Sequence, residues 1–471
     1  ALQADVCVVN HHLFFADQQL QDEGVAPLLP QAGVVIVDEA HQLNDTGVQF
    51  AGTTLSTRQL LGFARDAMAV TTEHARGLHP WLDALVALEQ TVQHWSASAA
   101  TVPLGVRQSW LSASPQGVDA AQWTAQLHRV GRSLRLVWQA LGSVQEAAPA
   151  LVQLQARAGQ LLHTLALFAH PAPADSVRWL DRQARHLVLT QAPLTVAPLL
   201  QAIVQAGSTP QAWVFTSATL GDSDDLQWFT RTCGLPEART LRVASPFDYA
   251  TQASLYVPPD APPVQAQAAH SAFVARLAQV GAQQLGGRTL VLTTTLKALQ
   301  AIGNHLQQQF GQAGGLFTAI DVLVQGQGSK HALLERFRQG TVHGRGCVLV
   351  ASATFWEGVD IAGDALQLLI IDKLPFAPPD DPLVQARTHQ LEGLGLNAFN
   401  DYLLPEAAMA LKQGVGRLIR SETDQGMVVV ADTRLLEKAY GPRLLAALPP
   451  MRLLTSHAAW QERLQQLQAL R

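Results

Sequence analysis

The run Val34-Val35-Ile36-Val37 is four consecutive β-branched apolar residues, a pattern that predicts a short buried strand. Comparable runs predict strands at Asp5 to Val9, His186 to Thr190, Trp213 to Thr216, Thr289 to Thr293, Cys347 to Ala351, Leu366 to Ile371 and Met427 to Ala431. Between about 56 and 178 the texture changes. Leu, Ala, Gln and Trp recur at helical spacing, as in Trp81, Leu82, Leu85 and Leu88, and in Leu134, Leu136, Trp138 and Leu141. This reads as a helical insertion, broken near Pro103 and Pro115 and at Pro171-Ala172-Pro173. Farther on, strands alternate with helices expected at Leu296 to Phe310 and Leu403 to Arg420, which implies a parallel sheet covered on both faces. Ser245-Pro246-Phe247 and the Pro-rich Val257 to Pro263 place a boundary near 248. The expected order is therefore 1–55, part of a first α/β domain; 56–178, helical; 179–248, return to the first domain; and 249–471, a second α/β domain.

Composition narrows this frame. A chain of 471 residues exceeds one ordinary domain, and 48% hydrophobic against 15% charged content supports large cores and excludes general disorder. The formal charge of −5 carries no global basic signature, so nucleic acid would need a local groove. The three cysteines, Cys7, Cys233 and Cys347, are distant and odd in number. They point to a reducing cytoplasm rather than a disulfide framework, and cannot by themselves make a four-cysteine cluster. No apolar run approaches roughly 18 residues, so no membrane span is expected. The start at Ala1, with no signal peptide, reads as an internal or truncated start.

Asp38-Glu39-Ala40-His41 stands where the first strong strand should end, the place where open parallel sheets bind ligands. Asp38 would hold Mg²⁺, Glu39 would orient or deprotonate an attacking water, and His41 would hydrogen-bond to a neighbouring motif. The bland alternative is a turn with solvated acids. The order does not fit a His-Glu-x-x-His zinc helix, and no Gly-x-x-x-x-Gly-Lys-[Ser/Thr] loop lies in the 33 residues before Val34. After Trp213 to Phe215 come Ser217 and Thr219, whose hydroxyls would couple a nucleotide site to a bound strand or merely cap a helix. A second Ser-Ala-Thr at Ser352 to Thr354 leads into Phe355-Trp356-Glu357-Gly358-Val359-Asp360. There Glu357 and Asp360 follow a strand, Gly358 permits close backbone approach, and Trp356 divides evenly between core packing and strand contact. In Gln413-Gly414-Val415-Gly416-Arg417-Leu418-Ile419-Arg420, the two arginines would share a helix face and suit the β/γ-phosphates of a nucleotide held by a facing domain, with Gln413 and Gly416 completing the pattern. Asn10-His11-His12 lacks a nearby third metal ligand. Gly326-x-Gly328-Ser329-Lys330 fails phosphate-loop spacing, and no buried strand is expected before it.

Taken in order, these motifs resemble the iron–sulfur XPD-like superfamily 2 helicases, in their bacterial DinG/YoaA branch. The residues that carry the resemblance are Val9 to Leu13, Asp38 to His41, Ser217 to Leu220, Ser245 to Tyr249, Phe355 to Asp360, Asp372-Lys373-Leu374-Pro375-Phe376 and Gln413 to Arg420. The resemblance implies two RecA-like parallel-sheet motor domains, the first incomplete, with an arch-like helical insertion at 56–178. It implies ATP and Mg²⁺ as cofactors, single-stranded or forked DNA as partner, replication or repair proteins beside it, no membrane, and 5′ to 3′ translocation with unwinding. It assigns Asp38, Glu39 and His41 to hydrolysis, Glu357, Asp360, Gln413 and Gly416 to the nucleotide, Ser217, Thr219 and Trp356 to coupling or DNA, and Arg417 and Arg420 to the γ-phosphate, with Arg420 as the arginine finger. The phosphate loop and the iron–sulfur cysteines of such helicases are expected upstream, and this chain on its own is expected to lack ATPase. Two other readings remain open: a non-catalytic DNA- or partner-binding fragment, and a metal nuclease using Asp38 and Glu39, in which the two arginines have no task.

Overall fold

The computed structural model describes residues 4–22, 28–30, 32–110, 112–205, 211–221, 223, 225–312, 320–352, 355 and 365–470. They form two compact units: an N-terminal unit of 1–216, 230–237 and 378–398, and a C-terminal unit of 217–229, 238–377 and 399–471.

The N-terminal unit carries strands β1 (Val34–Val37), β2 (Thr53–Ser56), β3 (Arg107–Ser109), β4 (Ser176–Arg182), β5 (Leu187–Pro193) and β6 (Ala212–Phe215). β1 and β6 pair in parallel, Val34 opposite Ala212 and Val37 opposite Phe215. The strand at Val34 is found, but its burial is one-sided. On the face of Val35 and Val37 the sheet is covered, with the Phe14 ring 6.1 Å from that of Trp213. On the other face Val34 is 55% and Ile36 66% exposed, because side chains alternate across a strand and that face lies open. The expected strand at Asp5 to Val9 forms no ladder among the described residues, and Val6 and Val8 are exposed. Its apolar run, Val6 to Val9, finds no ladder partner among the described residues.

The helices expected between 56 and 178 are found as Thr57–His74, Trp81–Ser98, Ala120–Val144 and Pro149–Ala169. Ser56 opens the first: its Oγ accepts from Gln59 N at 3.1 Å, and Gln59 Oε1 accepts from Ser56 N at 2.7 Å. Asp119 caps the third by accepting from Gln122 N at 2.7 Å. Their apolar stripes meet in one core, where Trp95 and Trp123 are fully buried with ring centroids 5.4 Å apart. The strand expected at His186 to Thr190 is found as β5, but the sequence reading missed its antiparallel partners in the sheet β2-β5-β4-β3 that accompanies these helices. β3 is only three residues, Arg-Gln-Ser, and β4 (Ser-Val-Arg-Trp-Leu-Asp-Arg) interleaves charges with apolar residues.

Arg178 of β4 pins helix Pro149–Ala169 to that sheet. It is buried, donating through Nη2 to Leu167 O at 2.5 Å, through Nη1 to His170 O, and through Nε to Gln191 Oε1 at 2.7 Å. The first two are carbonyls at a helix C-terminus, where positive charge is favoured. The guanidinium also lies over the rings of Trp110 and Phe168, at 5.7 and 5.4 Å. The segment 378–398 joins the same unit through helix Pro382–Gly393, capped by Asp381. Asp381 pairs with Arg107 at 3.2 Å, and Arg387 Nε donates to Leu194 O at 2.8 Å.

The C-terminal unit is a seven-stranded sheet of β7 (Ala253–Tyr256), β8 (Thr289–Thr293), β9 (Ile320–Val324), β10 (Gly346–Ser352), β11 (Leu368–Ile371), β12 (Gly426–Val430) and β13 (Arg452–Leu454). Their order is β13-β7-β12-β11-β8-β10-β9, and every pairing is parallel. Alternate residues feed two cores. Leu290, Leu292, Leu349 and Leu369 face one, with helices Lys330–Arg338 and Leu404–Val415; Val291, Val348, Val350 and Ile370 face the other, with Gln267–Leu285, Leu296–Gln312 and His457–Ala469. Burial on both faces explains why β8, β10, β11 and β12 read as apolar runs. Gly287, at φ +95°, makes the turn into β8, where a Cβ would lie 2.4 Å from Cys347 N.

Truncating Arg178 leaves two helix-end carbonyls and Gln191 without their donor. Arg178→Ala should destabilise the N-terminal unit by about 2–4 kcal/mol in urea unfolding. Arg178→Lys should restore only a minor part, since an ammonium cannot span three acceptors. Equal stability of the parent and both variants would refute this role.

Candidate nucleotide-hydrolysis site

The β1–β6 ladder continues one residue past both strands. Thr216 N donates to Val37 O and Ala40 N donates to Thr216 O, each at 2.9 Å. This sets Asp38 beside Thr216, whose Oγ1 donates to Asp38 Oδ1 at 2.9 Å. Glu39 then takes a left-handed backbone, φ 50° and ψ 41°, which costs an ordinary residue about 1–2 kcal/mol. The turn buries Ala40 completely and leaves the Glu39 side chain 47% exposed, its Oε2 3.3 Å from His41 Nδ1. His11 lies with Nε2 2.9 Å from Asp38 O, at the start of helix His11–Asp22, which Asn10 caps by accepting from Leu13 N at 2.7 Å. His12 sets its ring edge-on to Phe50 at 5.5 Å. Asp38, Glu39 and His41 are thus brought together, with His11 against their backbone.

Ser217 and Thr219 belong to the C-terminal unit. Ser217 Oγ accepts from Thr219 N at 3.1 Å, and the buried Thr219 Oγ1 accepts from Gln413 Nε2 at 2.9 Å. Gln413 therefore does more than complete a pattern: it ties the Ser-Ala-Thr motif to the arginine motif. The shared helix face expected for Arg417 and Arg420 is not found. The helix ends at Val415, and Gly416 N closes its last turn onto Lys412 O at 2.8 Å. Asp424 then draws the chain aside, accepting from Arg420 N at 2.7 Å and Ser421 N at 2.9 Å, while Leu418 and Ile419 enter the core. The two arginines flank that buried pair instead of sharing a helical stripe.

Trp356, Glu357, Gly358 and Asp360 lie outside the described residues. The Gly326-x-Gly328-Ser329-Lys330 stretch does follow a strand, β9, contrary to the sequence reading; β9 is interrupted by Asp321 and so read poorly. Gly326 sits at φ +93°, Ser329 Oγ caps helix Lys330–Arg338 by accepting from Ala332 N, and Lys330 Nζ lies 5.3 Å from the centre of the Phe355 ring.

The sequence reading nominated neither Asp372 nor Asp432 for special roles. Asp372, at the end of β11, is buried and accepts from Thr294 N at 3.1 Å and Lys373 N at 2.8 Å. Burial pushes its carboxyl up to about 6, against the opposing pull of Lys373. Asp432 accepts from Leu374 N at 2.9 Å and from Arg434; burial opposes ionisation, but the Arg434 hydrogen bonds hold the carboxyl below its usual range. A buried acid directly after an apolar strand was the available signal for both.

A family model for the helicase C-terminal domain matches residues 280–451. Over 451 residues the chain is 36% identical to the ATP-dependent DNA helicase YoaA of Escherichia coli K12, covering 96% of this chain and 68% of that protein. The chain belongs to the YoaA/DinG helicase family. The YoaA helicase of Haemophilus influenzae Rd is 35% identical over 95% of this chain and 67% of its own length. Among solved structures, S. tokodaii Xpd4 matches with a TM-score of 0.55 at 14% identity, over 94% of this chain and 81% of that one, which shows the fold alone. The family and the α/β, RecA-like class read from the YoaA/DinG motifs are thereby shown.

Asp372 makes stability depend on pH. A carboxyl at about 6 in the folded unit holds its proton more tightly than the same group unfolded, near 3.9. Its contribution is fully present below about 4 and is lost as pH rises through about 6. Asp372→Asn keeps the acceptor without the ionisation. Its urea midpoint, relative to the parent, should therefore rise between pH 4.5 and 7.5; a constant difference would show that Asp372 does not titrate there.

Proposed function

We propose that these residues supply the hydrolytic acids, phosphate-sensing arginines and DNA-gripping surface of an ATP-dependent helicase that moves 5′ to 3′ on single-stranded DNA and opens duplex or forked DNA in repair. The relatives named as ATP-dependent DNA helicases support the activity. The observation that carries the site is the Thr216–Asp38 hydrogen bond, which fixes an acid at the carboxyl end of a parallel strand pair.

Asp38 holds Mg²⁺ in this reading. Among the described residues no three His, Cys, Asp or Glu side chains gather into a cation cage. A single carboxylate fits a Mg²⁺ ion that takes its other oxygens from substrate phosphates and water. When bound, the ion neutralises charge on the phosphates. Glu39, half-exposed and steadied by His41, orients the attacking water. Arg417 and Arg420 meet the charge that grows on the γ-phosphoryl group, Arg420 as the finger, and Gln413, Gly416, Glu357 and Asp360 contact the nucleotide. Ser217, Thr219 and Trp356 transmit its state to DNA. The cysteines do not fit an iron–sulfur cluster: Cys233 and Cys347 are buried thiols that burial pushes up to about 12 and about 11, and three ligands are one short of four. We place the protein in the cytoplasm beside replication or repair proteins; no helix among the described residues is long and apolar enough to cross a membrane.

In a polypeptide joining these residues to a phosphate loop, Glu39→Gln should lower DNA-stimulated ATP hydrolysis at least 100-fold while oligothymidylate binding changes less than about twofold. Hydrolysis at the parental rate would refute the assignment. Thr219→Val removes the acceptor for Gln413. It should leave hydrolysis within a few-fold but reduce base pairs opened per ATP about tenfold, and an unchanged ratio would remove Thr219 from the coupling path. A second reading, DNA binding without hydrolysis by these 471 residues alone, draws on the lack of a phosphate-loop pattern in them. DNA-stimulated hydrolysis by this chain alone would overturn it.

A further inference from the structure

Three aromatic rings of the C-terminal unit meet at a place the proposed hydrolytic site does not use. Phe376 follows β11, Phe399 opens the turn ahead of helix Leu404–Val415, and Tyr440 precedes the short helix Gly441–Ala447. Phe376 and Phe399 stack at 5.7 Å with planes 26° apart. Tyr440 stands edge-on to Phe376 at 5.6 Å and tilted against Phe399 at 5.3 Å. Phe376 and Tyr440 are half-buried and rest on the core that contains Leu374, Leu435 and Leu444, whereas Phe399 is 36% exposed. The result is a ring surface backed by packed residues and open to solvent at Phe399.

Positive charge borders it. Lys438 and Arg443 are exposed, and Arg443 Nη1 donates to Asn400 O at 2.8 Å, one residue from Phe399. Of the neighbouring acids, Glu437 accepts from Thr433 Oγ1 at 3.1 Å, Asp432 is taken up by Arg434, and Asp401 is exposed. Aromatic faces beside cations bind single-stranded nucleic acid with little sequence preference, since every base has a π face and every link a phosphate.

We propose that Phe399, on the floor made by Phe376 and Tyr440, is a stacking platform for a base of single-stranded DNA, with Lys438 and Arg443 meeting the adjacent phosphates. This rests on the helicase reading and adds a site to it. The same rings have a structural alternative: Phe376 and Phe399 bracket the excursion of 378–398 into the N-terminal unit, and their stacking would close its base. The two roles differ in whether they sense a base.

The test uses the 471-residue chain and two fluorescein-labelled probes of equal length, oligothymidylate and an abasic deoxyribose-phosphate chain. Phe399→Leu keeps apolar bulk without the π face, and Phe399→Trp enlarges that face. Phe399→Leu should weaken oligothymidylate binding about tenfold and leave abasic binding unchanged, while Phe399→Trp should match or exceed the parent. Arg443→Ala should weaken both probes and lower the salt dependence. Equal loss on both probes with Phe399→Leu, or no loss on either, overturns the platform in favour of the structural role. A parent chain that binds neither probe overturns the helicase reading itself.

Discussion

The parallel register of β1 with β6 is the constraint on which the candidate site depends. It is set by apolar pairs, Val35 with Trp213 and Val37 with Phe215, on the covered face of a two-stranded sheet. Once those pairs are in place, Thr216 has no freedom about which residue it meets. Its backbone and hydroxyl close on Val37, Asp38 and Ala40. A shift of one residue would turn the covered side chains outward and move Asp38 away from its hydroxyl partner. The chemistry of the acid is therefore fixed by hydrophobic burial a few residues away.

The tetrapeptide from Thr216 to Thr219 joins this constraint to a second one. Thr216 is the last residue of the first stretch of the N-terminal unit, and Ser217 begins the C-terminal unit. Its first hydroxyl bonds to the acid of one motif and its last receives the amide of Gln413 from another. Gln413 in turn sits one turn ahead of the arginine loop, whose path Asp424 sets. A short covalent segment is thus bonded at both ends, but unequally: Thr219 is buried, so releasing its hydroxyl would orphan a polar group, whereas Thr216 and Asp38 are exposed and water can take either partner's place.

Much of this was legible in the sequence, and what was not has identifiable causes. Four strands of the C-terminal unit, β8, β10, β11 and β12, read clearly because both their faces are buried, whereas β7, β9 and β13 were not read, β9 being broken by Asp321 and β13 only three residues long. The acids and the Ser-Ala-Thr segment were nominated from their places after strands, and the glutamine from its pattern with Gly416 and the two arginines. Of the antiparallel sheet only β5 was read; β3 and β4 were missed because they have no clean alternation, Arg178 being buried where a hydrophobe would be expected. The helix at 404 was extended too far because Leu418 and Ile419 keep an apolar rhythm after Val415. The hydrogen bonds of Asp424 override that rhythm, and they span only four residues without a periodic signature. His11 and Thr216 gained partners that only tertiary pairing could supply.

The open face of the β1–β6 pair has a practical consequence. Val34, Ile36 and Val214 sit side by side on one face, 55%, 66% and 44% exposed. Each of the two strands has a single ladder neighbour among the described residues. A short parallel pair with an exposed apolar face, and one ladder neighbour per strand among the described residues, is a template for association. Preparations of this chain would then be limited by colloidal behaviour before they were limited by folding. Concentration, shear and ionic strength would govern how long it stays monodisperse, and a single charge placed on that face would be the most economical remedy.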